Sequence, residues 1–273
     1  MVDLDGAYDL HVHSAPDLFP RVADDRQMVA HAAARSFAGL VMKNHFEGTA
    51  SRARLAAEGA GGLKVYGGLV LNRYVGGVNP HAVDAALKLG ARVIWMPTLD
   101  AACHRQAFGF GGGFAAQSSG METSGEGLHI LADDRLIPEA REVMALVRER
   151  GAALATGHVS FEEIAALVAE ADSQGFRKLI LTHPYDKAPG LSLEEVQILS
   201  RPHVRVEFVF CSITPRWAFT DAATIAHCIK TIGSSRVLIS SDGGQAHNPM
   251  PADGHRRFVE LLHDRASPPR TSA

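Results

Sequence analysis

The chain of 273 residues carries 27 Lys and Arg against 30 Asp and Glu, a formal net charge of −3. That balance excludes a nucleic-acid binder working by phosphate neutralisation, which needs a marked basic excess. With 46% hydrophobic and 21% charged residues the chain is globular rather than disordered. Its length suits one large α/β barrel or two small domains. Cys103, Cys211 and Cys228 have no paired spacing, so the sequence predicts no disulfide framework and a reducing, cytoplasmic location. No apolar run reaches the ~18 residues of a membrane span. The start MVDLDGAYDL lacks the basic-then-apolar pattern of a secretion signal, so no membrane association is expected. The unusual count is that of histidine, 14 residues.

Apolar, β-rich runs alternate with amphipathic stretches along the chain. Strands are predicted at 7–13, 39–45, 63–71, 91–97, 152–156, 177–183, 203–209 and 236–241, each followed by room for a helix. Asp24 with Gln27, Ser160 with Glu163 and Ser192 with Glu195 have the spacing of helix-starting capping boxes. Over 138–150, Ala140, Val143, Met144 and Val147 recur at helical spacing and predict one buried face. Strand-then-helix repeats with near-continuous apolar strands predict a parallel sheet closed into a single-domain (β/α)8 TIM barrel over 1–266. One interval, between the fourth and fifth strands, is much longer than the rest. Its excess, 107–127, is too rich in Gly and Ser to hold a core, and predicts a mobile loop or lid over one mouth. The run from Gly109 to Phe114 lacks the final glycine and the strand-turn-helix frame of a dinucleotide site. Residues 267–273 are expected to be a flexible tail.

The informative residues fall where the strands stop. The first strand ends His11-Val12-His13, and residues two apart on a strand share a face. Both imidazoles are therefore expected to point into the barrel, with Leu10 and Val12 outward under the helices. Alone, such a pair is a metal grip or an ordinary surface or core pair. However, the fifth strand is followed by Gly157-His158, the sixth by His183-Pro184 and the eighth by Asp242-Gly243-Gly244. Each polar side chain sits at the end of an apolar strand, the catalytic face of this fold. Clustered imidazoles and a carboxylate at one mouth predict a divalent metal site, with Zn2+ foremost and Mn2+, Fe2+, Co2+ or Ni2+ as alternatives.

His11-x-His13, His158, His183 and Asp242 resemble the metal signature of the amidohydrolase superfamily, and the likeness in strand order runs through nearly the whole chain. The resemblance, to short and cytosolic-type members, implies one or two divalent metals and hydrolysis of an amide, ester or lactone bond. A minority branch, similar to the amino-carboxymuconate-semialdehyde decarboxylases, instead cleaves carbon–carbon bonds with a single zinc. Binuclear members place a carboxylated Lys or a Glu at the end of strand four, and here that strand reads VIWMPTLD. A lysine stands on the second strand instead, in Lys43-Asn44-His45, where Lys43 and His45 share a face. Lys43 is open to three roles: a carbamate bridge, a grip on a substrate anion, or a stem reaching for the mouth. A phosphoesterase of the polymerase-and-histidinol-phosphatase type also begins with H-x-H and often has a second-strand His, like His45. It ends in D-x-H, which Asp242-Gly243-Gly244 does not match.

On this reading His11, His13 and His158 hold metal, and Asp242 is general base and then acid. His183 holds a second metal, or else orients water or the developing oxyanion. Lys43, His45, Arg21, Arg73, Tyr185 and His247 are candidates to hold a small, anionic substrate, with Arg21 and Arg73 foremost because a guanidinium grips carboxylate or phosphate bidentately. His104 and Arg105, on a mouth loop, join that list. His129, His203, His227, His255 and His263 are read as structural or surface residues. The sequence leaves the oligomeric state open, with a homodimer as one option, and a small-molecule substrate is the expected partner.

Overall fold

The computed structural model describes residues 2–109 and 126–266. Its main sheet has eight strands, each parallel to its neighbours: β1 (Tyr8–Val12), β2 (Gly39–Met42), β3 (Lys64–Val70), β4 (Val93–Trp95), β7 (Ala153–Ala155), β8 (Leu179–Leu181), β9 (Val204–Val209) and β10 (Val237–Ser240). All eight lie inside the predicted runs. The ladder is not continuous from β10 back to β1. A single parallel bridge, Val12 to Gly243, crosses that seam, with His13 N donating to Gly243 O at 2.8 Å. The architecture is a nearly closed TIM barrel, as the strand–helix alternation predicts.

The helices are α1 (Asp25–Ala34), α2 (Ala50–Ala56), α3 (Pro80–Lys88), α4 (Ala102–Phe108), α5 (Pro138–Glu149), α6 (Phe161–Gln174), α7 (Leu193–Leu199), α8 (Ala222–Ile232) and α9 (Pro251–Ala266). Local sequence starts them where expected. Asp24, Ser160 and Ser192 each close a full capping box with the glutamine or glutamate three residues on. On α5, Ala140, Val143, Met144 and Val147 are all completely buried. They join a large core between helices and sheet that takes Val204, Val206 and Phe208 from the outer face of β9. A two-residue antiparallel hairpin, β5 (Leu131–Ala132) and β6 (Arg135–Leu136), precedes α5. Most of the Gly- and Ser-rich segment, residues 110–125, lies outside the described residues, as does the tail 267–273. The start of that segment, Ala107 and Phe108, is the last turn of α4 rather than loop.

The lumen has its own small core, in which Val41, Val70, Val93, Trp95, Ala155 and Ile180 are buried. Leu10 packs against it, which corrects the expected alternation on β1. Asp9 pairs with Leu40 and Val12 with Met42, so β1 spends one more residue than β2 over the same interval. This β-bulge turns Leu10 and His11 both inward while Val12 packs outward beside Met28 and Val29 of α1. Asp9, fully buried on the outer side, accepts from His11 N at 3.3 Å and from Ser241 N at 3.0 Å. One carboxylate thus ties the bulge to the end of β10.

Candidate metal centre and chamber

The C-terminal ends of the strands open into a chamber of about 370 Å3. On its floor, His11 comes from the bulge, His13 from just past β1, and Asp242 from just past β10. Two backbone features bring Asp242 there. Asp242 itself sits in the left-handed region at φ 46°, which side chains other than glycine seldom adopt. Gly244, at φ 126°, passes so close to the His13 carbonyl that any Cβ would collide with it.

The result is compact. Asp242 Oδ1 lies 3.1 Å from His11 Nε2 and 3.1 Å from His13 Nε2. Among the described residues these three form the group of donor atoms close enough to share one cation, all within 4.8 Å of one another. Two imidazole nitrogens and a carboxylate oxygen are a donor set suited to a divalent transition metal. Outer partners orient them. Glu207, inward on β9 and buried, lies 3.3 Å from His11 Nδ1. Arg21 Nη2 is 3.2 Å from His13 Nδ1 and its side chain pairs with buried Asp17 at 2.8 Å. Lys43 Nζ is 2.9 Å from His11 Nε2 and stands over the Trp95 ring at 5.3 Å.

The electrostatics are those of a site short of positive charge. Burial alone would lower the His11 pKa, yet the Asp242 carboxylate, with Glu207 adding to it, raises it to about 9. Burial likewise pulls Lys43 down to about 8, against the same two carboxylates. Asp242 would be raised by burial, but charge and hydrogen bonds from His11 and His13 hold it well below the usual carboxylate range. His13 is lowered by burial and by Arg21, so its ring is neutral at pH 7. Without a cation, a proton on His11 offsets the carboxylates. A divalent ion would take over that role, and the residues fit it.

His158 and His183 line the same chamber outside the compact trio. Their rings are 4.9 Å apart, and His183 stacks on His11 at 6.0 Å. Gly157, at φ 62° against the carbonyls of Met96 and Pro97, delivers His158. His158 Nδ1 lies 2.9 Å from His104 Nδ1, so His104, considered from sequence only as a loop residue, is on the floor itself and buried. Burial pushes His104 down to about 3 and His158 well below its ordinary value.

The substrate-binding candidates divide. Lys43, His45, Arg21 and His247 line the chamber. His45 Nδ1 is 2.9 Å from Thr98 Oγ1, and its ring stacks on His13 at 5.0 Å. Arg21 is committed to Asp17 and His13 rather than open to a ligand. Arg73 is not at the chamber: it donates to the Glu126 carbonyl and its backbone N donates to Asp100. Tyr185 turns outward onto Phe208 at 5.7 Å. A loop residue's direction is set by tertiary packing, which is why these two escape a sequence reading. Conversely, Asp186 and Glu207 were missed. Asp186 accepts from Ser212 Oγ, lies 3.4 Å from His183 Nδ1 and is raised by burial to about 6. Glu207 left a signal, because Val204, Val206 and Phe208 alternate outward and put a glutamate on the lumen face of β9.

Solved structures with this fold include an amidohydrolase from Pseudomonas aeruginosa, with TM-score 0.56 and 13% identity over 96% of this chain and 90% of that one. The probable dipeptidase PvdM from Pseudomonas aeruginosa gives 0.58 and 13% over 96% and 90%. A mutant PTE-like lactonase from Deinococcus radiodurans gives 0.56 and 13% over 97% and 91%. At such identities the likeness is one of fold. No curated protein matches the sequence. Residues 6–207 match the model of a family of unknown function, DUF6282, and the chain belongs to that family.

Proposed function

We propose that this protein is a metal-dependent hydrolase of the amidohydrolase type, cleaving an amide, ester or lactone bond of a small substrate. The observation that carries this reading is the His11–His13–Asp242 trio, drawn from the two strands that flank the barrel seam and opening into the chamber. His11 and His13 would hold the ion, Zn2+ foremost, through Nε2. The cation supplies Lewis acidity there, lowering the pKa of a water and polarising the oxygen of the scissile bond. His13 then carries its ring proton on Nδ1, so Arg21 releases that nitrogen and keeps Asp17. Asp242 takes the proton from water as its oxygen adds to the acyl carbon. As the C–O or C–N bond breaks, Asp242 returns that proton to the leaving oxygen or nitrogen. Lys43, over Trp95, faces the charge that develops on the acyl oxygen. His158 and His183, with His104, form the opposite side of the floor, where they orient the substrate or take a second ion.

Zinc-loaded protein is expected to hydrolyse members of a panel of aryl esters, γ- and δ-lactones and N-acyl amino acids. Asp242→Asn is expected to lower turnover roughly 10²–10⁴-fold when compared per bound zinc at saturating metal, so that loss of one donor to the ion is not read as loss of the base. Unchanged turnover in that variant would remove Asp242 from the reaction. A panel that gives turnover only with aryl phosphates would replace the acyl reading with a phosphoesterase one.

A further inference from the structure

Above the imidazole floor the chamber changes character. Its walls are Phe19, Leu99, Phe108, Trp217 and Phe219. Three of these form a row: Phe108 meets Phe219 edge-on at 6.0 Å, and Phe219 meets Trp217 at 5.8 Å. Each end of the row carries a cation. Lys187 Nζ lies over the Phe108 ring at 4.9 Å and the Arg216 guanidinium over Trp217 at 5.7 Å. Both cations are exposed, and among the described residues neither has a carboxylate partner. His247 stands beside Arg216, with Nδ1 at 3.5 Å from its Nη1, and adds a polar edge without a negative charge. Of the two, Arg216 lines the chamber, whereas Lys187 lines a neighbouring groove with Asp186 and Asp221. Elsewhere the exposed cations Arg35 and Lys88 have acidic partners.

We infer that the chamber takes an amphipathic substrate, with an apolar or aromatic body along Phe108, Phe219 and Trp217 and an oxyanionic group held by Arg216 at the Trp217 end of that row. The inference rests on the hydrolase reading for which bond is cut, and deepens it by naming the substrate class. A fully apolar substrate would use the walls but leave the Arg216 guanidinium unused. A small polar substrate would leave the aromatic row unused. Only a molecule with an apolar body and a distal anion uses both. The anion is a carboxylate or a phosphate monoester, since the guanidinium fork suits either.

Binding, measured by calorimetry on the as-purified protein without turnover, separates this inference from the hydrolase reading. The probes are 4-phenylbutyrate, 3-phenylpropyl phosphate and the neutral 4-phenylbutanamide. Arg216→Gln is expected to weaken at least one anionic probe about tenfold or more and to leave the amide within about twofold. Which anion suffers more identifies the headgroup. Arg92→Gln, at the opposite end of the barrel, is the control for overall charge and is expected to change none of the three affinities. Equal affinities for the anions in parent and Arg216→Gln would overturn the inference, as would an equal loss in the control variant or failure of all three probes to bind. Binding as expected in a protein that hydrolyses nothing would leave the inference standing and defeat only the hydrolase reading.

Discussion

His11 sits between Glu207 at one ring nitrogen and the site at the other. A carboxylate on Nδ1 fixes which nitrogen keeps a proton and makes Nε2 a better donor. Glu207→Gln keeps the shape and removes the charge. It is expected to weaken zinc binding roughly 10–100-fold, read by competition with a chelator of known affinity, with the fold and the Asp242 contacts retained. Equal zinc affinity would mean that Glu207 only fills space. At this scale the residues closing strands were legible, because His11, His13, His158, His183 and Asp242 interrupt apolar runs. Their orienting partners were not. Asp186 and His104 reach the floor from a loop and a helix whose paths depend on packing, and no local pattern encodes that.

The element that departs from its pattern is β1. Simple alternation would put His11 and His13 inward and Leu10 outward. The extra residue in the bulge brings Leu10 and His11 to the same side, so two neighbours serve the lumen core and the candidate metal site at once. Nothing in the string YDLHV announces this, because a bulge is a property of two paired strands. What the sequence does contain is Asp9, a carboxylate inside an apolar strand. Buried and bonded to two backbone N–H groups, it also lies 3.5 Å from His255 Nδ1 on α9. Asp9→Ala would strand both N–H groups, and is expected to cost about 2–4 kcal/mol of stability in urea unfolding. It is also expected to lower zinc affinity, since His11 and the Asp242 turn lose their common anchor. A variant as stable as the parent would show that the seam closes without it. By contrast α1, α5, α6 and α7 followed the sequence closely, because capping boxes and helical periodicity are local, whereas α4, which has no side-chain cap, was read as loop.

At the scale of the molecule, the barrel buries an unusual load of neutral imidazole. His13, His45, His104 and His158 all have folded pKa values below the 6.5 of the free side chain, chiefly through burial. In acid the unfolded chain binds protons that the folded chain refuses, so stability falls as pH drops below 6.5. Asp186, raised to about 6, partly offsets this. His11 has the opposite sign: its value of about 9 adds stability that is full below 6.5 and is lost as pH rises through 9. Chelator-treated protein is therefore expected to be most stable near neutral pH and to lose roughly 3–5 kcal/mol between pH 6.5 and 5.5. Urea titrations at each pH measure it, and a flat profile would contradict the buried neutral rings. The seam has one more consequence. His11 and His13 belong to the first barrel strand to leave the ribosome, and Asp242 follows the last. A nascent or clipped polypeptide without β10 offers only two nitrogens of the trio, so on the proposed reading tight zinc uptake would mark completed closure rather than provide an early scaffold around which the chain assembles.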